Sequence, residues 1–287
     1  MANVAAITIV YNEKHKLPRW LSYYRRQLGQ KNCFVIDHGS DDGSTNDIDQ
    51  CQIIKLPRTP YDNQVRIEAI SSLAHFLLKF FDYVIYTDCD EIVVADPQHY
   101  KGLGDYCNKL APPYIYSIGI DVVQRLGEEG PLDPRRPVLE QRQYAHFSSA
   151  MCKPNLTRLP IRWARGFHSH QREPFFGSLF NFHLRYVDLD EGVARLGTTR
   201  SLHWAKDNEG AHHKVSNAEY GSLIESWSKL PIVEDDAFCS TASVLSPYLD
   251  RFVRTSKYNP TLDQFDVDLF TFGAELIRIP PRFRVLF

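Results

Sequence analysis

A hydrophobic run that stops abruptly in acid constrains this chain more than any other feature. It reads Phe80-Phe81-Asp82-Tyr83-Val84-Ile85-Tyr86-Thr87-Asp88-Cys89-Asp90-Glu91-Ile92. The run is short, continuous and without helical gaps, which predicts a buried central strand. Acids cannot stay unpaired in such a core, so Asp88, Asp90 and Glu91 are expected at the strand's carboxyl end, where an open α/β sheet keeps its ligand crevice. Asp88 and Asp90 alternate around Cys89, and extended geometry would point both to one side. Two hard oxygen ligands on one side suit Mg2+ or Mn2+ shared with a diphosphate. For a lone Asp-x-Asp the plainer account is a turn whose acids cap the next helix.

The neighbouring segments argue against that plainer account. Val4 to Val10 is a second buried strand, broken by Tyr11-Asn12-Glu13 and followed by a helix with Leu17, Trp20, Leu21 and Tyr24 at helical spacing. Cys33 to Ile36 is a third, ending in the polar, glycine-punctuated loop from Asp37 to Ser44, and Gln52 to Leu56 is a fourth. A helix is expected from about Asp62 to Lys79, with Val65, Ala69, Leu73, Phe76 and Leu77 on its inner face. This β-α-β-α order implies a mostly parallel sheet with right-handed crossovers. Three strands therefore finish in polar clusters on one edge of that sheet, which predicts a nucleotide-type site.

Later strands are expected over Pro113 to Val123, Ser148 to Leu159, Arg162 to His170 and Leu179 to Tyr186. Helices are expected over Glu219 to Leu230 and Val244 to Tyr258, after a charged, proline-rich loop from Gly127 to Pro137. The domain reading is a catalytic domain over residues 1–195, split into a nucleotide-binding half (1–97) and an acceptor-side half (98–195). A mainly helical extension over 196–287 packs on it. The apolar tail from Ile279 to Phe287 is expected to dock on the parent domain or on a second copy in a homodimer.

Among 287 residues, 43% are hydrophobic and 24% charged, and the formal charge is −2. That balance gives no reason to expect nucleic-acid binding. The six cysteines make no Cys-x-x-Cys pair, so neither a zinc knuckle nor a disulfide framework is signalled. No apolar stretch approaches the roughly 20 residues needed to span a bilayer. The amino terminus shows no basic leader, so a cytoplasmic location is expected, and peripheral membrane contact is compatible with it.

Val10-Tyr11-Asn12-Glu13, Trp20-Leu21-Ser22-Tyr23-Tyr24, Val35 to Ser44 and Tyr86-Thr87-Asp88-Cys89-Asp90-Glu91 together resemble the glycosyltransferase family 2-like group. They are closest to the branch whose metal motif reads Asp-x-Asp-Glu. The resemblance implies a GT-A fold, in which helices flank a mostly parallel sheet and a helical C-terminal region follows. It implies polysaccharide-type chemistry: metal-dependent transfer of a sugar from a nucleotide diphosphate donor, UDP-linked by expectation, to a hydroxyl of a glycan or glycolipid, with inversion. It further implies that Tyr11, Asn12, Glu13, Asp37, Ser40, Asp41, Gln64, Arg66, Asp88, Cys89 and Lys153 bind the donor. Asp88 and Asp90 would hold Mn2+ or Mg2+, with His168 or His183 completing the shell. Departure of a nucleoside diphosphate builds charge on phosphate oxygens, and a divalent cation neutralises it.

Eleven histidines are present, and the adjacent His212 and His213 have no partner at metal spacing. An inverting transfer needs a general base opposite the leaving group, for which Asp121, Glu173 and Asp188 are the candidates. Two rival readings are a sugar nucleotidyltransferase, which normally needs an N-terminal glycine-rich loop, and a non-catalytic nucleotide- or glycan-binding module.

Overall fold

A computed structural model describes residues 2–48, 50–110, 112–205 and 215–287. The first hundred residues give β1 (Val4–Val10), α1 (Lys16–Leu28), β2 (Cys33–Asp37), β3 (Gln52–Lys55), α2 (Asn63–Leu77), β4 (Tyr83–Tyr86) and β5 (Glu91–Ala95). α3 (Leu103–Lys109), β6 (Tyr114–Val123), α4 (Val138–Gln141), β7 (Tyr144–Phe147), β8 (Leu156–Thr157) and β9 (Phe176–Tyr186) follow. The C-terminal part interleaves helices with short strands: α5 (Leu189–Ser201), α6 (Asn217–Ser228), β10 (Ile232–Glu234), α7 (Ser246–Thr255), β11 (Lys257–Asn259), β12 (Gln264–Asp266) and β13 (Leu276–Arg278).

The fold is mixed α/β, with a central sheet whose first four strands run parallel in the order β3-β2-β1-β4. Short β8 then bridges β4 to β6, antiparallel to both. β6 pairs with β7 on one side and with β9 on the other, and β9 carries β5 antiparallel. Central strands such as β1 and β4 are buried along nearly their whole length, as their unbroken apolar composition requires. β1, β2 and β4 are neighbours, so their polar carboxyl ends meet on one edge, as the sequence predicts.

The structure departs from the sequence reading in four places. Asp88 to Asp90 is not extended: the Glu91 amide donates to the Asp88 carbonyl at 3.0 Å in a tight turn. The chain must reverse there, because Glu91 already opens β5 against β9. α2 is rotated from its expected setting, since it buries Ile67, Ile70, Ser71, Ala74 and Leu77 while Val65 and Phe76 are each 59% exposed. A helix with apolar residues on two faces leaves periodicity unable to choose between them. Ser148 to Leu159 and Arg162 to His170 form 3-10 turns and loops, with only Leu156–Thr157 in a strand.

The turn over Ser149–Met151 lies directly on Gly119 of β6, where a Cβ would come within 2.3 Å of the Met151 carbonyl carbon. That close approach needs glycine. The fourth departure is the C-terminal part, where β13 pairs with β7 and carries β10, so strands of the central sheet stand in the expected mainly helical extension. The tail itself docks on the parent domain, one of the two expected outcomes. Phe283 and Phe287 are buried in the main core, Phe287 with its ring 5.8 Å from Tyr23 and 5.6 Å from Phe182. The tail thus packs Phe283 and Phe287 on its own domain, while Val285 is left 69% exposed.

Candidate active site

Two acids one residue apart face opposite neighbours. Asp88 Oδ1 accepts from Arg66 Nη2 at 3.0 Å and from the Tyr86 hydroxyl at 2.9 Å, while Lys153 Nζ lies 3.3 Å from Oδ2. Burial opposes ionisation of Asp88, but Lys153 and Arg66 outweigh it and hold the pKa down at about 2. Asp90 Oδ2 instead meets Lys16 Nζ at 2.7 Å and His183 Nε2 at 3.7 Å. Those two cations overcome burial and keep the Asp90 carboxyl well below the usual range.

Each partner is aimed by its element. Asp62 caps α2, accepting from the amides of Gln64 and Val65, and this places Arg66 in the first turn over Asp88. Lys16 opens α1 four residues before Trp20, on the same buried face, where the Trp20 indole donates to Thr87 Oγ1 at 2.8 Å. Lys153 is delivered by the turn on Gly119, and it also pairs with Glu91 at the head of β5. Poised between Glu91 and Asp88, Lys153 has its pKa raised despite burial.

His183 stands opposite Glu91 in the β5–β9 ladder and opposite Asp121 in the β6–β9 ladder. Asp121 Oδ1 lies 2.5 Å from His183 Nδ1, which turns Nε2 towards Asp90. Burial alone would lower the His183 pKa, yet Asp121 and Asp90 bring it up to about 9. The imidazole is thus bracketed by two carboxylates, Asp121 at Nδ1 and Asp90 at Nε2, which favour its charged form.

The other strand ends close the crevice. Asn12, at φ +55°, donates from Nδ2 to Asp41 at 2.7 Å and accepts from the Asp41 amide at 3.0 Å, while its own amide donates to Ser40 Oγ. Asp37 accepts from the Ser40 amide and the Thr45 hydroxyl, both at 2.8 Å. Arg58 lies 3.8 Å over the Tyr11 ring. Glu13 is buried and paired with Arg195 at 2.6 Å; its pKa is raised because burial outweighs Arg195 and Lys16.

The structure thus gathers Tyr11, Asn12, Glu13, Asp37, Ser40, Asp41, Arg66, Asp88, Asp90, Lys153 and His183 at one edge, with Cys89 buried in the turn between the acids. Gln64 is exposed and bonds Glu68. His168 does not share the His183 setting: its Nδ1 meets the Ala150 carbonyl at 2.8 Å. His212 and His213 lie outside the described residues.

None of the three base candidates stands free in the crevice. Asp121 is buried behind His183. Asp188 is the N-cap of α5, accepting from the Asp190 and Glu191 amides, with Arg142 at 3.5 Å. Glu173 is exposed and precedes β9, ten residues before His183 on an extended path of roughly 30 Å. Sequence reasoning missed Lys16 and Arg195. The position of Lys16 one helical turn from Trp20 was the available signal; Arg195 had none, because α5 meets Glu13 only through the tertiary fold.

Asp90 and His183 supply a hard oxygen and an imidazole nitrogen, a donor pair that fits Mn2+ or Mg2+ when a diphosphate and water take the remaining positions. Among the described residues no group of three or more His, Cys, Asp or Glu forms a complete cage. Lys16 occupies the same Asp90 oxygen, and both Asp88 oxygens already have partners.

No protein-family model and no curated protein matches the chain. Among solved structures, the mannosyltransferase PcManGT from Pyrobaculum calidifontis, in complex with GDP-Man and Mn2+, is 16% identical over 49% of this chain and 40% of its own, with a TM-score of 0.27. S. aureus TarS is 12% identical over 79% of this chain and 44% of its own, with a TM-score of 0.35. The chain thus matches less than half the length of either protein. Neither resemblance carries substrate or mechanism across. No helix among the described residues is long and apolar enough to cross a membrane.

Proposed function

We propose that this chain is a metal-dependent glycosyltransferase. It takes a sugar from a nucleotide diphosphate donor, UDP-linked as first candidate, and delivers it to a hydroxyl of a glycan or glycolipid. One observation carries the reading: Asp121, His183 and Asp90 stand in line, with 2.5 Å and 3.7 Å contacts, at the edge where β1, β2 and β4 end.

In this reading Tyr11, Asn12 and the Asp37 loop hold the base and ribose, since they form one bonded shelf on the β1–β2 side. Asp90 and His183 would hold the cation, which when bound supplies Lewis-acid neutralisation of the diphosphate. Asp88 keeps Arg66 and Lys153 charged and fixed beside the departing phosphates, and their positive charge is pre-organised for the charge that develops there. Inversion is the course that the family resemblance implies, and the anomeric configuration of the product, read by NMR, decides it.

Thermal unfolding with UDP-, GDP- and other nucleotide sugars, with and without Mn2+, tests the proposal, because a ligand of the native state alone raises the midpoint. A rise with one nucleotide that grows with Mn2+ supports it. The paired state of Asp88 and Asp90 favours one second reading, a binding module in which lysine and arginine have taken the cation's place. A nucleotide shift indifferent to Mn2+ would establish that reading instead.

A further inference from the structure

Beyond the charged cluster, a line of aromatic rings leads away from His183. Tyr186 ends β9 three residues on, its ring 5.9 Å from the His183 ring and perpendicular to it. Trp227 of α6 follows, 4.7 Å from Tyr186, and then Phe272, 6.2 Å from Trp227. The rings come from three separate parts of the chain. Tyr186 and Trp227 are half-buried, Phe272 is 46% exposed, and nearby Phe270 is 87% exposed.

Beneath the line lies His146, 4.7 Å from Trp227 and stacked on Phe272 at 5.9 Å and 8°. It pairs with Asp121 across the β6–β7 ladder, so His146, Asp121 and His183 form one row over three strands. His146 is 1% exposed. Its Nε2 lies 2.8 Å from the Gly273 carbonyl and so carries the proton, which leaves Nδ1 as an acceptor. That Nδ1 is buried and has no hydrogen-bond partner. A buried acceptor without a donor is costly and asks for a ligand or water to satisfy it.

We propose that Tyr186, Trp227, Phe272 and His146 form an acceptor subsite for a glycan of at least two pyranose units. The inference rests on the glycosyl-transfer reading and adds the acceptor class to it. Aromatic rings present flat, electron-rich faces, and a pyranose offers them a face of polarised C–H bonds while its hydroxyls point outward along the ring edge. Tyr220 stacks on one face of Tyr186 at 5.7 Å and 22°. The exposed Phe272 and the half-buried Trp227 therefore take the outer units, and Tyr186 meets only the edge of the unit beside His183 and Asp90. His146 Nδ1 is sealed beneath Trp227 and Phe272, so a sugar hydroxyl donates to it only when the exposed Phe272 ring swings aside. An aliphatic lipid chain would find no use for that acceptor, and the continuity with the Asp90 site places the sugar where transfer takes place.

The test is retention of fluorescently labelled full-length protein on a glycan array that spans the common hexose and hexosamine linkages, as mono-, di- and trisaccharides. Wild type is expected to retain at least one di- or trisaccharide and to bind the matching monosaccharide at least tenfold more weakly. Trp227→Ala and Phe272→Ser are each expected to reduce retention at least tenfold. Phe272 is exposed enough that its variant should keep the wild-type melting temperature, which separates lost binding from lost folding. No retention by wild type, or equal retention by wild type and both variants, would overturn the subsite. The UDP and Mn2+ thermal shift on the same preparation reads the other proposal. A nucleotide shift without glycan retention removes only the subsite, whereas retention without any nucleotide shift removes the transferase and with it the acceptor role, leaving a glycan-binding surface.

Discussion

Lys16 Nζ sits 2.7 Å from Asp90 Oδ2, the same oxygen that His183 Nε2 approaches at 3.7 Å. An ammonium and a divalent cation cannot both hold that oxygen at full strength, so Lys16 is expected to compete with metal. In Lys16→Met the metal-free protein should lose stability, on the order of 3 kcal/mol or less, because a largely buried charge is left without its partner. Added Mn2+ should then raise the melting temperature of the variant more than that of wild type. Equal Mn2+ shifts in the two proteins would refute the competition.

Asp88 binds Arg66, Tyr86 and Lys153 rather than standing open. Asp88→Asn should therefore disorder the cationic side of the crevice and weaken nucleotide diphosphate binding. We expect at least a tenfold rise in the UDP dissociation constant by calorimetry in the absence of metal. If UDP binds the variant normally without metal and only the metal effect disappears, Asp88 is a ligand and not an organiser of Arg66 and Lys153.

Asp121 contacts His183 at 2.5 Å, and its substitution separates positioning from base catalysis. Loss of the acid behind a ligating histidine typically costs 10–100-fold in metal affinity. Asp121→Asn should weaken Mn2+ binding by about that factor, with activity partly recovered at high Mn2+. An unchanged Mn2+ affinity together with abolished turnover would return Asp121 to the role of general base.

His170 gives a pH dependence that does not involve Asp90 or His183. Burial and then Arg172 push its pKa down to about 3, its Nδ1 accepts from the Arg172 amide, and its ring packs on Tyr114 and Tyr116. The native state thus holds His170 neutral, while the unfolded chain binds a proton near pH 6.5. Its contribution is complete above pH 6.5 and is lost as the pH falls from there towards 3, at up to about 1.4 kcal/mol per unit. Urea unfolding between pH 7.5 and 4.5 should show this slope in wild type and a smaller one in His170→Asn. Parallel pH profiles would discount the histidine.

Phe287 closes one edge of the main core. Phe287→Ala should cost about 3 kcal/mol, at the low end for a buried phenylalanine because the site is at the edge of the core. Sedimentation should give the same mass for variant and wild type, since the tail packs on its own domain. A change of oligomeric state without loss of stability would place Phe287 at a subunit contact.

Much of the β1–β4 half was legible in the sequence. Runs such as Val4 to Val10 and Tyr83 to Tyr86 can only be buried strands, and parallel neighbours bring their polar ends to one edge. The amphipathic helices failed where they were apolar twice over, as in α2, whose rotation follows from its docking on the sheet. The base candidates are a different case. A lone acid in a strand or before a helix has no sequence signature that separates a reactive carboxylate from a cap such as Asp188 or a support such as Asp121.

What the sequence by itself determined is therefore local: alternation, runs and breaks place the strands, and acids at a strand end demand an edge with partners. Which partner each acid receives was decided by the tertiary fold. Lys16 reaches Asp90 across 74 residues, Arg195 reaches Glu13 from α5, and His183 reaches Asp121 across 62 residues. Those pairings depend on strand order and helix rotation, which settle how buried charges are neutralised. Composition requires that neutralisation without specifying it, because a carboxylate in low dielectric needs a cation or donor close by and is indifferent to where in the chain it comes from.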